Sequence, residues 1–344
     1  MPVKSTHKAE VVPVALEPHP NADSLSIVKV WGYSCIVRTE DWRGEDRGIY
    51  ICPDSLVPNR PPFEFMFNGS NATYFVNPDG TAFKDKNGDY ARVSVRRFRG
   101  IYSMGLLLPA PEDMPVGADC APNLGIVRYE PTTTCSTGGE AESPPPGVFT
   151  HKYDIEALQR YLHLFREGEL VHISEKIHGS NGAWVFSDGR MWCRSRSEFK
   201  KEDPQNLWWR AITNHPEIEE FCKAHPELIV YGEVYGNVQS LKYGLDKAVR
   251  IAVFDLYNHK ERRFLDAGTG PEEYCELPWV PVISYSMPFD KDKLAELADG
   301  PSLVPGANHI REGIVVKPIH ERVDIEIGRV QLKLVSNVYL EKGK

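Results

Sequence analysis

The first part of the chain alternates short apolar runs with turn residues. Runs rich in β-branched and aromatic residues at 10–16, 25–31, 34–38 and 48–52 predict strands, because such side chains favour a pleated, half-buried backbone. Many short strands separated by turns are typical of a small β-barrel. We therefore expect an all-β domain over residues 1–130.

The rest of the chain combines two kinds of apolar pattern. Helices are predicted at 155–165, 206–213, 217–225 and 290–298. Strands are predicted at 170–176, 183–186, 191–195, 228–231, 251–256, 314–317 and 330–335. This mixture indicates an α+β domain with antiparallel sheets and peripheral helices over residues 150–344.

Between the two parts lies a stretch with almost nothing to bury. Residues 131–149 read PTTTCSTGGEAESPPPGVF, which is rich in Thr, Ser, Gly and Pro and predicts a linker. A length of 344 residues also favours two domains, since single domains mostly run to about 100–200 residues.

Composition narrows the class of protein. With 41% hydrophobic and 26% charged residues, the chain is typical of a soluble globular protein. It has no apolar run of about 18 residues that would span a membrane. Its start lacks the apolar segment of a secretory signal, and its seven scattered cysteines form no CxxC. We expect an intracellular monomer, cytoplasmic or nuclear, with no membrane partner, zinc site or disulfide framework.

The net charge of −8 argues against non-specific coating of nucleic acid, which is usually the work of basic proteins. Any contact with nucleic acid must come from a local patch. One candidate is ARVSVRRFRG, which carries Arg92, Arg96, Arg97 and Arg99. On composition alone, a solvated strand face of alternating charge explains these arginines equally well.

Several charged residues stand inside or beside apolar strands. They are Lys176 in SEKIHGSNG, Glu233 in YGEVYG, Asp255 in VFDLY, Glu312 in REGIVVKP and Lys333 in VQLKLVS. Each one alone fits an ordinary half-exposed strand position. Together they are harder to dismiss, because a buried charge is costly unless it is paired, metal-bound or facing a cleft. Lysines and acids converging on a cleft would suit a nucleoside triphosphate with its divalent metal.

The order EKIHGSN, YGEVYG, VFDLY, EGIVVKP and QLKLVS resembles motifs I, III, IIIa, IV and V of the covalent nucleotidyltransferases, over about residues 150–340. The Lys-x-His-Gly of motif I is similar to that of phage-type, nick-sealing RNA ligases. In the first part, HPNADSLSIVKV (19–30) and RRFRGIYSMGLLL (96–108) resemble the OB-fold of tRNA-binding domains attached to some aminoacyl-tRNA synthetases. An OB domain in front, with none behind, is similar to the RNA ligases of the Deinococcus and Naegleria type.

This resemblance implies a fold and an activity. The fold is an amino-terminal OB-fold β-barrel followed by an antiparallel-sheet nucleotidyltransferase domain, unrelated to ATP-grasp. The activity is that of an ATP-dependent RNA ligase with Mg²⁺ or Mn²⁺, joining 3′-hydroxyl to 5′-phosphate RNA ends at duplex nicks through lysyl–AMP. The resemblance also implies that Lys176 is the nucleophile, that His178 serves the steps after lysine adenylylation, and that Glu233 and Glu312 hold the metal. It implies that Glu175 reads the adenine edge and that Phe254 stacks on adenine, with Asp255 beside it. Asn181 and Arg196, with Arg194 as an alternative, would lie near the ribose and phosphate, and Lys317 and Lys333 would lie near the phosphates.

Two positions depart from the pattern. Motif V of these ligases carries two lysines with one residue between them, but the first is Gln331 here, so Lys317 or Lys342 is the candidate for the missing charge. Some ligases with a leading OB domain have Asp where this chain has His178. Two alternatives therefore stay open, namely an RNA-binding protein with a degenerate, non-sealing nucleotidyltransferase domain and a capping-type guanylyltransferase. The KIHG form of motif I and the lack of a following domain weigh against the second.

Overall fold

The structure of the chain is a computed structural model. It describes residues 7–53, 55–67, 84–85, 88–129, 139–151 and 153–342. The chain divides into two compact units, the first spanning Met1–Thr132 with Leu340–Lys344 and the second spanning Thr133–Tyr339.

Short antiparallel strands build the first unit. They are β1 (Ala9–Pro13), β2 (Leu16–Pro18), β3 (Leu25–Val30), β4 (Tyr33–Arg38), β5 (Arg47–Ile51), β6 (Ser55–Pro58), β7 (Lys84–Asp85), β8 (Gly88–Arg92), β9 (Arg96–Phe98), β10 (Ile101–Ser103), β11 (Leu106–Pro109) and β12 (Val127–Arg128), with one short helix, α1 (Ala121–Leu124). The sheets have the orders β1-β5-β11, β2-β3-β4, β12-β6-β8-β7 and β9-β10.

The alternation of apolar residues sets the core of this unit. In β5, Ile49 and Ile51 face one apolar cluster while Tyr50 faces another, because successive side chains of a strand point to opposite sides. Three of the predicted strands match β3, β4 and β5 to within one residue at each end. The fourth prediction, 10–16, is split by a break after Pro13 into β1 and β2.

The second unit contains longer strands and more helix. Its strands are β13 (Ala141–Glu142), β14 (Glu156–Ala157), β15 (Leu170–Lys176), β16 (Ser180–Ser187), β17 (Arg190–Ser195), β18 (Phe199–Lys200), β19 (Leu228–Gly236), β20 (Val249–Asn258), β21 (Arg263–Phe264), β22 (Val282–Pro288), β23 (Gly313–Pro318), β24 (Val323–Asp324), β25 (Gly328–Arg329) and β26 (Leu332–Val335). Its helices are α2 (Leu207–Ile212), α3 (Pro216–Ala224), α4 (Thr269–Glu273), α5 (Lys291–Ala298) and α6 (Asn337–Lys342), the last of which passes into the first unit from Leu340 onward.

Two antiparallel sheets organise this unit. The larger has the order β13-β18-β17-β16-β19-β20-β21, and the smaller has the order β14-β26-β23-β15-β22, in which only β14 and β26 run parallel. One face of the larger sheet packs on α2 and α3 through Trp184, Val230 and the apolar side chains of both helices. The opposite face carries Ala183, Tyr231 and Asp255 in one cross-strand row. This second face holds the charged motifs of β19 and β20.

A β-bulge interrupts β20 where the sequence reads VFDLY. Tyr231 pairs with Asp255 and Gly232 pairs with Val253, so that Phe254 is the extra residue on its strand. Bulges re-aim side chains, and they occur often beside functional sites. Here the bulge leaves the Phe254 ring partly buried between two apolar clusters.

Two predictions differ from the structure. The helix predicted at 155–165 is wrong, because this segment forms β14 followed by two short 3₁₀ turns at Leu158–Arg160 and Leu162–Leu164. Its apolar residues recur every three positions, at Ile155, Leu158, Tyr161 and Leu164, which is the period of a 3₁₀ helix.

The predicted linker at 131–149 lies outside the described residues as far as residue 138. Beyond that point, Ala141–Glu142 forms β13 at one edge of the larger sheet and so belongs to the folded unit. Among the helices in the described ranges, none is long and apolar enough to cross a membrane.

Candidate active site

Lys176 is the last residue of β15, and its side chain meets an acid from the neighbouring strand. The register pairs Lys176 with Gly313, which places Glu312 next to it just before β23. Lys176 Nζ donates a hydrogen bond to Glu312 Oε2 at 2.8 Å. His178 Nδ1 lies 3.3 Å from the same oxygen. Two predicted residues, Lys176 and His178, therefore share one carboxylate oxygen of a third, Glu312.

The charges around this oxygen give the two acids of the site different pKa values. Burial alone would raise the pKa of Glu312, but Lys176 and His178 outweigh it and hold this pKa at about 2. Burial, together with the charge of Glu312, raises the pKa of Glu233 to about 8, although Lys176 acts in the opposite direction. At neutral pH Glu312 is ionised, and Glu233 holds a proton most of the time.

His178 is fixed from three sides. Its backbone N–H donates to the hydroxyl of Tyr243 at 2.7 Å, and its Nε2 lies 3.2 Å from Ser240 Oγ. The ring also meets Tyr339 edge-on, with 5.8 Å between centroids. Ser240, Tyr243 and Tyr339 could not be predicted from the sequence, because each becomes a neighbour of His178 only through the fold.

The glycines after His178 have a steric reason. A Cβ at Gly179 would collide with the carbonyl oxygen of Val234, and one at Gly182 would collide with the Trp208 ring. The Gly179 backbone N–H also donates to Glu233. Gly179 thus lets motif I approach β19 and hold the second acid.

A second charged cluster surrounds Asp255. Arg329 donates to both of its oxygens, at 2.6 and 3.0 Å, and Lys317 Nζ donates to Oδ2 at 2.8 Å. Burial would raise the pKa of Asp255, but the two cations keep it well below its usual range. Burial lowers the pKa of Lys317 in turn. Lys317 Nζ also donates to the Phe254 carbonyl at 2.9 Å, so it ties the bulge to the smaller sheet.

The three predicted lysines lie on one face of the smaller sheet. Directly paired residues of neighbouring strands share a face, and so do alternate residues of one strand. Gly313, Val315 and Lys317 are alternate residues of β23. Lys176 pairs with Gly313, and Lys333 pairs with Val315. This lysine face is the one linked to Asp255 on the larger sheet, so the lysines and the acids line the same space.

Other predicted residues lie near that space or away from it. Asn181 pairs with Glu233 across β16 and β19, which puts both side chains on one face. By strand alternation, Glu175 is directed away from the lysine face. Its carboxylate accepts from Ser302 Oγ and Leu303 N, each at 2.6 Å, and burial raises its pKa. Its predicted contact with adenine would have to compete with both of these bonds.

The two arginines of CRSRS occupy different surroundings. Arg194 is buried and donates to the carbonyls of His151 and Arg196, at 3.0 and 3.2 Å. Arg196 is 40% exposed, pairs with Asp154 and is close enough to Glu233 to affect its pKa. Its accessibility makes Arg196 the better placed of the two to contact a ligand.

The arginines predicted to bind RNA do not all belong to one element. Arg92 lies in β8, with its guanidinium 4.0 Å from the centre of the Tyr129 ring. Arg96, Arg97 and Arg99 are exposed on the β9–β10 hairpin. Asn21 Nδ2 donates to the Arg99 carbonyl at 2.9 Å, and so the HPN segment braces the turn of the hairpin.

Carboxylates are the donors that a hard divalent cation prefers. Among the described residues, no group of three or more His, Cys, Asp and Glu side chains is arranged to hold a metal ion. Glu233 and Glu312 nevertheless form an acid pair in which burial and mutual repulsion keep one member protonated. Such a pair fits a cation that completes its coordination with water and a ligand's phosphates.

Comparisons with known proteins agree with this architecture. The profile of the RNA ligase family matches residues 169–335, and that of an OB-fold domain matches residues 10–110. The structure of Naegleria gruberi RNA ligase with pyrophosphate is 23% identical, with a TM-score of 0.77, over 98% of this chain and 99% of that chain. Among curated proteins, no sequence matches.

Two variants of the same Naegleria ligase give similar values. A lysine-to-alanine variant with ATP and manganese is 22% identical, with a TM-score of 0.76, over 97% of this chain and 98% of that one. A glutamate-to-alanine variant with AMP and manganese is 23% identical, with a TM-score of 0.77, over 98% of each chain. These likenesses confirm the predicted fold class, an OB-fold followed by an antiparallel-sheet domain.

Proposed function

We propose that this protein is an ATP-dependent RNA ligase that seals nicks in duplex RNA, since the profile of the RNA ligase family matches residues 169–335. The observation that carries the proposal is the position of Lys176. Its ammonium lies at the end of a strand, bonded to Glu312, on the same sheet face as Lys317 and Lys333. An amine that shares a sheet face with two further lysines is suited to attack a phosphate that those cations would hold.

The reaction would proceed in three transfers. Lys176 Nζ attacks the α-phosphorus of ATP, the bond to the β-phosphate oxygen breaks, and pyrophosphate leaves as the amine loses a proton. The 5′-phosphate of RNA then attacks the AMP phosphorus, and the lysine nitrogen departs and is protonated again. Finally the 3′-hydroxyl oxygen attacks the phosphorus of the activated 5′-phosphate and loses its proton, the bond from that phosphorus to the oxygen of AMP breaks, and AMP leaves.

The residues of the chain supply positioning and charge, which phosphoryl transfer needs more than acid–base chemistry. Glu312 orients Lys176. When no divalent cation is bound, Glu312 also stabilises the protonated amine. A divalent cation held by Glu233 and Glu312 would favour the neutral, nucleophilic amine, since two nearby cations repel each other. His178 lies beside Glu312 Oε2, the oxygen that binds Lys176. We assign it to the later transfers.

ATP, a divalent metal and RNA are assigned on several grounds. The Naegleria ligase variants were studied with ATP and manganese, or with AMP and manganese, which supports the same ligands here. Phe254, aimed by its bulge, supplies a ring for adenine. On the first unit, the exposed arginines of the β9–β10 hairpin would contact the phosphates of the strand beside the nick.

Label transfer tests this proposal directly. The protein is mixed with Mg²⁺ or Mn²⁺ and ATP labelled at the α-phosphate, with labelled GTP in parallel, and is then resolved on a denaturing gel. Label from ATP should stay on the protein and should move to nicked RNA when it is added. Absence of any covalent label with either metal would contradict the proposal and favour a non-sealing RNA-binding protein, whereas label from GTP alone would indicate a guanylyltransferase.

A further inference from the structure

Gln331 stands where the family pattern has the first lysine of motif V, and its side chain is fully engaged. It is 3% exposed. Its Oε1 accepts from the hydroxyl of Tyr153 at 2.7 Å and from Arg329 Nη1 at 3.0 Å. Its Nε2 donates to the Asp154 carbonyl at 3.3 Å. This residue is therefore an integrated member of a polar network.

The cation of this network comes from Arg329, two residues earlier. Its guanidinium binds both oxygens of Asp255 and both oxygens of Glu321, the latter at 2.7 Å each. The same group lies 3.8 Å from the centre of the Phe264 ring. A planar guanidinium with five N–H donors can bind four carboxylate oxygens in this way, whereas a lysine ammonium has only three donors.

The charges of the cluster balance. Arg329 and Lys317 provide two positive charges, and Asp255 and Glu321 provide two negative ones. Gln331 is neutral, and so it adds hydrogen bonds without changing the total. A lysine at position 331 would bring a third cation into a buried site, where an unpaired charge is expensive.

We propose that Arg329 and Gln331 together replace the missing lysine, with Arg329 as a positioning residue for the nucleotide pocket. Arg329 holds Asp255, Asp255 holds Lys317, and Lys317 holds the carbonyl of Phe254 in the bulge. The orientation of the Lys317 ammonium and of the Phe254 ring thus depends on a guanidinium that is itself buried. The inference rests on the proposed function, because the pocket concerned is the ATP pocket.

A reciprocal pair of substitutions tests the replacement. Gln331 Oε1 and Asp255 Oδ2 are both bonded to Arg329 Nη1, so a longer lysine at 331 can reach Asp255 once the guanidinium is removed. The variants are Arg329→Gln, Gln331→Lys and the double variant. Each is measured for its midpoint of thermal unfolding and for its KM for ATP in lysine adenylylation.

Gln331→Lys should shift the unfolding midpoint in opposite directions in the two backgrounds. Gln331→Lys should lower the unfolding midpoint of the wild type, where it adds an unpaired cation, and raise that of Arg329→Gln, where it restores the balance. Arg329→Gln should raise the KM for ATP about tenfold, and the double variant should recover most of this loss. If Gln331→Lys acts in the same direction in both backgrounds, the replacement is wrong.

A matched arginine separates positioning from stability. Arg322 donates to both oxygens of Glu169, at 2.9 and 3.0 Å, in the same unit but outside the Asp255 cluster. Arg322→Gln should lower the unfolding midpoint and leave the KM for ATP within about twofold of the wild type. Equal KM values for Arg322→Gln and Arg329→Gln would reduce Arg329 to a structural residue and overturn the inference.

Labelling of the wild-type protein distinguishes failure of the proposed function from failure of the proposal about Arg329. If the wild-type protein takes no label from ATP, the proposed function fails, and the unfolding midpoints of the variants still decide whether Arg329 and Gln331 replace the lysine. If Arg329→Gln does not fold, the double variant decides. A folded double variant that accepts label supports the replacement of the lysine by Arg329 and Gln331. An unfolded or unlabelled double variant contradicts it.

Discussion

The ammonium of Lys176 and the carboxylate of Glu312 lie 2.8 Å apart, although 136 residues separate them in the sequence. The register of β15 with β23 makes this contact, since it sets Lys176 opposite Gly313. The nucleophile proposed here is therefore held by the sheet and not by a mobile loop.

Replacement of Lys176 should abolish covalent labelling. Lys176→Ala removes the only atom to which AMP would be attached on the proposed route, so no label from ATP should survive a denaturing gel. Lys201→Ala is the matched control, since Lys201 pairs with Glu140 on the surface of the same unit. Its labelling should equal that of the wild type. Label on Lys176→Ala would show that another residue is the nucleophile.

Glu233 should make stability fall as the pH rises. The pKa of its carboxyl is about 8 in the folded protein against 4.5 as the ordinary value, so the folded state holds an extra proton between these pH values. Stability from a raised pKa of an acid is present at low pH and is lost toward the folded pKa. Between pH 5 and 8, the metal-free protein should lose on the order of 1 kcal/mol or more of unfolding free energy.

Glu233→Gln provides the comparison for this pH effect. The amide has nearly the same shape and does not titrate, so urea unfolding of this variant should change less over the same pH range. The difference between the two proteins isolates Glu233 from all other titrating groups. Identical pH dependences would mean that Glu233 is ionised in the folded protein at pH 7.

His178 should act after the first transfer. Its contacts with Glu312 and Ser240 fix the ring beside the lysine without placing it between Lys176 and Glu312. His178→Ala should still take label from ATP, while transfer from preformed lysyl–AMP to nicked RNA should slow by about 10- to 100-fold. Rapid-quench measurement of each transfer separates the two. Equal loss in both would place His178 in the first transfer as well.

The hairpin arginines should matter for RNA alone. Arg96→Ala with Arg99→Ala should weaken sealing of nicked RNA and reduce the slope of log affinity against log salt by about 2, since each phosphate contact contributes about 1. Labelling of Lys176 should be unchanged. Arg43→Ala is the control, because Arg43 is an exposed arginine of the same unit that pairs with Glu40. An equal effect from Arg43→Ala would make the hairpin no more than part of a general surface charge.

Much of the site could be predicted from the sequence because strand motifs carry local signals. Lys176, Glu233 and Glu312 each follow or precede an apolar run, and the structure brings all three together. Arg329 could not be predicted in the same way, since its partners Asp255 and Glu321 become neighbours only through the sheets. The one signal was the spacing of Arg329, Gln331 and Lys333, which are alternate polar positions and would share one side of an extended segment.

The prediction of secondary structure was wrong where the apolar pattern fits both an α-helix and a 3₁₀ helix. At 155–165, an apolar residue every third position fits the face of an α-helix and a run of 3₁₀ turns equally well. Pairing of Glu156–Ala157 with β26 decided the outcome. The side chain of Lys342, a second candidate for the missing charge, lies outside the described residues, whereas Lys317 lies inside the Asp255 cluster.

The two-residue period of β15 has a consequence for how this chain can change in length. Insertion of one residue between His172 and Lys176 would exchange the sides of Lys176 and Glu175, so that an acid would replace the amine on the lysine face. Insertion of two residues would restore the side but shift the amine by about 7 Å along the strand, away from Glu312. Related sequences are thus expected to vary in length before Glu169 or after Ser187, and to keep a constant count across the strand that carries the lysine.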